Sequence, residues 1–279
     1  MPCLNEAATL AGCIGAARQL LVERGLSGEI IVADNGSSDG SPELAQSLGV
    51  RVVCASPQGY GFACRAGIKA ALAPVVLLGD ADGSYDFSSA GVFLEALKEG
   101  AELVIGDRFT GGIEAGAMPP LHQRFGNPFM SWMGRWLFAI ELRDFHCGLR
   151  ALRRDRYEML GCISGGFEFS SELILRSHYA GLGIAEVPTP LCRSGRGRAP
   201  HLRSFRDGLR HLLLRLSFRL ELLVGAIGAG LVVLGLGLIF GAAWPLGLGV
   251  LLLGIAAWFA RPLAAELSPG AQLIAKRLS

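Results

Sequence analysis

Between Glu29 and Arg108 short β-rich runs alternate with helical patterns, and few architectures accept that rhythm. "EIIVAD", "VRVVCA", "VVLLGD" and "ELVIGDR" read as strands. The stretches between them, "SPELAQSLG", "GFACRAGIKAALA" and "SSAGVFLEALKEG", read as helices, the first with Ser41 as cap and Pro42 in its first turn. Such alternation predicts an α/β fold: a mostly parallel, Rossmann-like sheet with helices on both faces. Ligands of these sheets bind beyond the carboxyl ends of the strands. Polar clusters fall at those ends: Asp34 with Asn35, Asp80 with Asp82, and Asp107 with Arg108.

The chain opens without that rhythm. "MPCLNEAATL" reads as a loop and helix start with no strand before it, so the sheet is expected to lack its first strand or to have it upstream of Met1. From about Gly111 a Gly/Pro-rich loop leads to the apolar helix "FMSWMGRWLFAI". "DFHCGLRALRRDRYEML" then reads as a polar segment entering a helix, and "IAEVPTPL" as a final strand.

Apolar residues concentrate at the far end, where no residue from Leu222 to Ala260 is charged. A bilayer core takes roughly 20 apolar residues per helix, so this run predicts two membrane spans turned at "AAWPL"; a buried helical hairpin is the alternative. Arginines crowd the chain before it, from Arg193 to Arg219, opposed only by Asp207. By the positive-inside rule the preceding residues are cytosolic. Anionic headgroups or a phosphate-bearing substrate explain the arginines better than nucleic acid does. The expected organisation is a catalytic domain over residues 1–200, a basic amphipathic interfacial helix over 201–221, two transmembrane helices over 222–261 and a cytosolic tail over 262–279. Seven cysteines lack any CxxC pair, which fits reduced structural thiols.

"VVLLGDADGSYD" sets Asp80 and Asp82 on one side of the chain if strand geometry continues through Ala81. Carboxylates that close repel unless a cation neutralises them, and Mg²⁺ or Mn²⁺ is held by one or two carboxylates plus substrate phosphates. A nucleotide diphosphate supplies such phosphates; an Asp/Gly-rich surface turn is the alternative. In "VADNGSSDGS", Asp34 is a candidate for a base or ribose, while Asp39 reads equally as a helix cap. "GYGFACRAG" fails the dinucleotide fingerprint because Cys64 stands at its third glycine position, and no GxxxxGK[ST] loop exists.

Taken in order, "PCLNE", "VADNGSSDGS", "GYGFACRAG", "GDADGSYDF", "VIGDRF", "DFHCGLRAL" and "AEVPTPLCRSGRGR" resemble a family 2 glycosyltransferase of the dolichyl- or polyprenyl-phosphate sugar synthase type. The resemblance covers nearly all of residues 1–200 and implies a GT-A fold binding a nucleotide-diphosphate sugar. By it, Pro2, Leu4 and Glu6 flank the base, Asp34 and Asn35 meet the nucleoside, and Asp80, Ala81 and Asp82 handle the nucleotide and the Mg²⁺ or Mn²⁺. Arg108 and Arg124 match positions that hold the acceptor or donor phosphates, and Arg196 and Arg198 of the last motif are further candidates for the acceptor phosphate. Asp144 matches an acidic residue that acts as base on hydroxyl acceptors; with a phosphate acceptor, already ionised, its role becomes electrostatic. His146 and Cys147 read as packed loop residues. Related synthases often carry Gln where this chain has Ser84, and the Q-x-x-R-W mark of processive synthases fails at Trp132, so a single transfer is expected.

The expected enzyme is therefore a metal-dependent inverting hexosyltransferase. It moves glucose or mannose from a UDP- or GDP-sugar to a polyprenyl phosphate such as undecaprenyl or dolichyl phosphate. It would sit as a multi-pass protein in the bacterial inner membrane, facing the cytosol, with homo-oligomerisation left open. Transfer to a lipid hydroxyl such as diacylglycerol, a non-catalytic membrane scaffold and a nucleotidyltransferase are the competing readings.

Overall fold

The computed structural model describes residues 1–197 and 204–218. Residues 1–208 form one compact unit and 209–279 another. In the first, a three-stranded parallel sheet runs in the order β1-β2-β3, from Pro2–Cys3, Ile31–Asp34 and Arg51–Cys54. A four-stranded sheet runs in the order β4-β6-β5-β7, from Val75–Leu78 (β4), Leu103–Asp107 (β5), Arg150–Arg153 (β6) and Ile184–Pro188 (β7). β5 and β7 are parallel, whereas β6 runs antiparallel to both its neighbours. Parallel pairings thus predominate, as the alternation predicts.

Helices α1 (Ala7–Glu23), α2 (Ser41–Ser47), α3 (Tyr60–Ala70) and α4 (Gly91–Lys98) connect the early strands. The single turn α5 (Arg108–Gly111) follows β5, and α6 spans Asn127–Phe138. α7 (Arg154–Leu160) and α8 (Phe169–Tyr179) separate β6 from β7. Leu10 and Ile14 of α1 pack with Cys3, Val32, Ala45 and Ala81 in one buried cluster. The carboxylate turn after β4 therefore rests directly on the core.

Four sequence expectations change. A first strand does exist: β1 pairs Pro2 with Ala33 and Cys3 with Asp34, and the Met1 amine donates to the Ile31 carbonyl at 2.8 Å. Two residues give too little periodicity to register as a strand. "RALR" is β6 rather than a helix approach, because Ala151 and Leu152 are buried between β4 and β5 while Arg150 satisfies its charge with loop carbonyls. β4 ends at Leu78, so Asp80 and Asp82 sit on a turn and not on a continued strand. Gly40, at φ 83°, is the residue before α2, and Ser41 is its first helical residue.

The amphipathic helix expected near 203–220 is α9, Ser204–Ser217. Among the described residues no helix is long and apolar enough to cross a membrane. The spans at 222–261, the tail and Arg198 lie outside the described residues.

Candidate active site

Three strand ends converge on a cluster of ionised side chains. At the first, "DNGSSDG" folds back over α1. Asp34 Oδ2 accepts from the amides of Gly36 at 3.1 Å and Ser37 at 3.2 Å, while its Oδ1 is buried with no hydrogen-bond partner among the described residues. Asn35, expected at the nucleoside, commits its side chain to the loop: Nδ2 donates to the Ala55 and Pro57 carbonyls, and Oδ1 accepts from the Gly59 amide. Asp39 ties two helix starts together, accepting from Ala7 N at 2.9 Å and from Ser41 N at 3.0 Å, which favours its structural role. Asn5, at φ 58°, donates its amide to Ser37 Oγ at 2.7 Å and accepts from Ser38 N at 2.6 Å. Pro2 pairs with Ala33 in the strand beside Asp34, Glu6 donates its amide to Ser41 Oγ at 2.9 Å, and Leu4 lies between them in the chain.

The "GYG" stretch packs rather than cradles. A Cβ on Gly61 would come within 2.4 Å of the Ser164 carbonyl, so only glycine allows this approach of α3 to the 164–166 loop. Tyr60 stacks on Phe167 with ring centroids 4.8 Å apart.

The second strand end carries the carboxylate pair. Asp80 is half-buried, and its Oδ1 is sealed from solvent without a hydrogen-bond partner among the described residues. Burial first, then the Asp82 charge, push its carboxyl up to about 6, against the pull of Tyr60, Arg196 and Arg108. Gly148 lies behind it: a Cβ there would meet Asp80 Oδ2 at 2.5 Å. Asp82 Oδ1 accepts from Ser84 N at 3.0 Å and Ser84 Oγ at 2.5 Å. Its Oδ2 pairs with the Arg196 guanidinium, which also reaches Glu6 at 3.2 Å. Ala81 is buried, and its carbonyl accepts from Thr9 Oγ1 at 2.7 Å.

The chain after β7 straps this turn. Cys192 N donates to Ser84 O and Gly195 N to Asp82 O, both at 3.0 Å, and Ser194 Oγ donates to Asp82 O at 3.1 Å. Arg196 is thus held where two carboxylates meet.

The third strand end carries Arg108 and Asp144. Arg108 Nε and Nη2 bind the two Asp144 oxygens at 2.5 and 2.8 Å, a bidentate, almost solvent-free pair. Burial opposes the Arg108 charge, but the Asp144 carboxylate overcomes this and raises the guanidinium's pKa well above its ordinary value. Asp144 also accepts from His146 N at 3.1 Å. Glu186 on β7 accepts from the amides of Arg143 at 2.9 Å and Asp144 at 2.7 Å. Arg150 ties the same loop to α8, donating to the carbonyls of Cys147 and Phe145 in the loop and of Ser170 in the helix. Tyr85 Oη accepts from Gly148 N at 2.9 Å. Burial drives the Cys147 thiol up to about 12, which removes it as a nucleophile.

Arg124 sits apart. It is exposed on the π-helical turn His122–Gly126, and among the described residues no hydrogen bond or ion pair joins it to this cluster. Tyr60, Tyr85, Arg150 and Glu186 escape sequence reading because each meets the site through segments that only the fold brings near.

The donor set suits a hard divalent cation: Asp80 offers an open, buried oxygen beside a second carboxylate. Among the described residues no three His, Cys, Asp or Glu side chains group for a metal, so further ligands would come from bound phosphates and water.

An α/β sheet with a carboxylate turn and a buried arginine at its strand ends places this cluster where proteins of such a fold bind their ligands. The chain belongs to glycosyl transferase family 2, whose profile matches residues 1–161. It is 35% identical over 236 residues to a low-salt glycan biosynthesis hexosyltransferase of Haloferax volcanii, covering 84% of this chain and 56% of that one. Against a dolichyl-phosphate hexose transferase of the same organism, identity is 38% over 160 residues, covering 57% of this chain and 68% of the relative. A polyprenol monophosphomannose synthase of Mycolicibacterium smegmatis is 30% identical over 172 residues, with 57% and 64% covered. Among solved structures, glucosyl-3-phosphoglycerate synthase from Mycobacterium tuberculosis, in complex with Mn²⁺ and UDP-glucose, superposes with a TM-score of 0.59 at 22% identity. That match covers 77% of this chain and 75% of the synthase, and it establishes the common fold.

Proposed function

We propose that the protein is a membrane-bound inverting glycosyltransferase that moves a hexose from a nucleotide-diphosphate sugar to a polyprenyl phosphate. The observation that carries this reading is the Arg108–Asp144 pair. Asp144 already accepts from both arms of Arg108 and from a backbone amide, so it is poorly disposed to take a proton from an alcohol. A buried, permanently charged guanidinium fixed by a carboxylate suits an anionic acceptor that needs no deprotonation. The named relatives that act with dolichyl or polyprenol phosphates support the same acceptor class.

Asp34, with its open oxygen, and the Pro2–Glu6 segment would hold the nucleoside. Asp80 and Asp82 would hold Mg²⁺ or Mn²⁺ on the diphosphate, where the ion neutralises charge on the leaving group. Arg196, released from Asp82, would bind phosphate oxygens, and Arg108 would orient the acceptor phosphate. One acceptor oxygen attacks the anomeric carbon, the bond to the donor's β-phosphate oxygen breaks, and the nucleoside diphosphate leaves with inversion. Placement in a bilayer follows from the uncharged run at Leu222–Ala260.

The test offers UDP- and GDP-hexoses with polyprenyl phosphate or diacylglycerol to the purified full chain. Sugar on the lipid phosphate alone supports the reading. Sugar on diacylglycerol alone overturns it and makes Asp144 a base.

A further inference from the structure

The loop between α6 and β6 brings Asp144 to the site, and two neighbouring strands grip it by different parts. β5 delivers Arg108 just past its end, and Arg108 takes the Asp144 side chain: Nε, Nη2 and, at 3.3 Å, its backbone amide all donate to the carboxylate. β7 pairs with β5 so that Glu186 stands opposite Ile105, and Glu186 takes the main chain. Its Oε1 accepts from the Asp144 amide at 2.7 Å and the Arg143 amide at 2.9 Å, and its Oε2 accepts from the Arg143 amide at 2.9 Å. An acid is not the easiest residue to place here. Burial pushes the Glu186 carboxyl's pKa up and the Asp107 and Asp144 charges push the same way, against the pull of the two amides. Its outer side lines an open cavity of about 560 Å³, shared with Phe109, Arg135, Leu142 and Arg143, which gives water access to the charge. A glutamine would avoid the like charges but would set an NH2 donor against the Arg143 amide.

We propose that Glu186 is a positioning residue: by holding the Asp144 backbone it fixes the direction in which Arg108 faces the acceptor phosphate. The proposal rests on the acceptor reading given above. The Arg108 side chain is only 10% exposed, so little of its guanidinium is free to meet an anion and its aim decides what it meets. Both of its arms that bind Asp144 do so in fixed directions, and a planar guanidinium turns with the carboxylate that holds it. A shift of the Asp144 backbone thus becomes a shift of the remaining Arg108 N–H groups. A misplacement of about 1 Å costs on the order of a hundredfold in rate. Among the described residues no hydrogen bond or ion pair joins Glu186 to Asp34, Asp80 or Asp82; its partners are the two loop amides. Glu186 therefore acts on the acceptor half of the site and leaves the nucleotide half alone.

The test compares Glu186→Gln and Glu186→Asp with wild type in the full chain. Glu186→Gln keeps the size and loses one acceptor oxygen, whereas Glu186→Asp keeps the charge but is one methylene shorter. For Glu186→Gln, kcat/KM for polyprenyl phosphate should fall by about ten- to a hundredfold while KM for the nucleotide sugar stays within about twofold. Glu186→Asp should show the same split, and it carries the test alone if Glu186→Gln does not fold. An equal loss on the donor side, or no loss at all, would overturn the proposal. Thermal unfolding gives a readout that needs no turnover. If Glu186 acts through Asp144 and Arg108, Glu186→Gln should lower Tm at least about twice as much in wild type as in the Arg108→Met, Asp144→Leu background, where the pair is gone. Equal losses in the two backgrounds would make Glu186 a loop fastener only and overturn the proposal. Unequal losses in a protein that transfers no sugar would refute the proposed reaction and leave the positioning of Arg108 by Glu186 standing.

Discussion

Replacing Asp144 by Asn preserves shape and removes one charge, which isolates what the Arg108 pair contributes. In the wild type both Asp144 oxygens accept from Arg108, with side-chain exposures of 10% for Arg108 and 0% for Asp144. Asn offers one acceptor oxygen and sets an amide donor against a guanidinium donor. The arginine cannot discharge, because its proton is bound too tightly to leave near neutral pH. Breaking a buried pair by removing one partner costs about 3–5 kcal/mol. For a domain of this size each kcal/mol shifts Tm by roughly 2–4 °C, so Asp144→Asn should lower Tm by roughly 6–20 °C. The assay is thermal unfolding of the purified full chain in one detergent at pH 7, wild type beside variant. The double variant Arg108→Met with Asp144→Leu should recover most of the loss while remaining inactive. A Tm for Asp144→Asn within about 2 °C of wild type would refute the reasoning, since the pair would then be neither dry nor coupled.

Three further outcomes are expected. Asp80 has a folded pKa, about 6, above that of a free carboxyl, so without cation its contribution to stability is full at low pH and is lost as pH rises through about 6. Asp80→Asn should abolish that loss in pH-dependent unfolding, and Mn²⁺ should bind the wild type more tightly above pH 6 than below it; a pH-independent affinity would contradict this. Arg196→Gln removes the cation that now shares Asp82 and Glu6, so Mn²⁺ titrated alone, followed by electron paramagnetic resonance, should bind more tightly than to wild type. Gly148→Ala, with its Cβ driven against Asp80 Oδ2 and the Tyr85 ring, should fold and weaken Mn²⁺ binding; unchanged binding would show that Asp80 has room to move.

The early strands and helices were legible because buried parallel strands between amphipathic helices leave a strong, repeated pattern. The same pattern led to Asp34, Asp80 and Arg108, each at or just past a strand's carboxyl end. β6 escaped because its outer residues are arginines, and sequence periodicity cannot tell that Arg150 is buried against three carbonyls. β1 escaped because two residues carry no period. What the Asn35 side chain does was hidden for another reason: its amide is used in holding residues 55–59, partners that lie twenty or more positions away in sequence. The strap at 192–196 could be guessed only as an arginine-rich stretch, since its hold on Asp82 depends on a return of the chain across more than a hundred residues. Arg108 and Asp144, 36 residues apart, were each visible singly, and their bidentate union was not.

In the proposed reaction the carboxylate turn holds a cation on a nucleoside diphosphate. Calorimetric titration of UDP and GDP into the full chain, with and without Mn²⁺, tests it most directly when wild type and Asp80→Asn are compared. The account predicts that one of the two nucleotides binds only with Mn²⁺ and that Asp80→Asn, still folded, loses that binding. Equal affinity with and without Mn²⁺, or unchanged in Asp80→Asn, would contradict it.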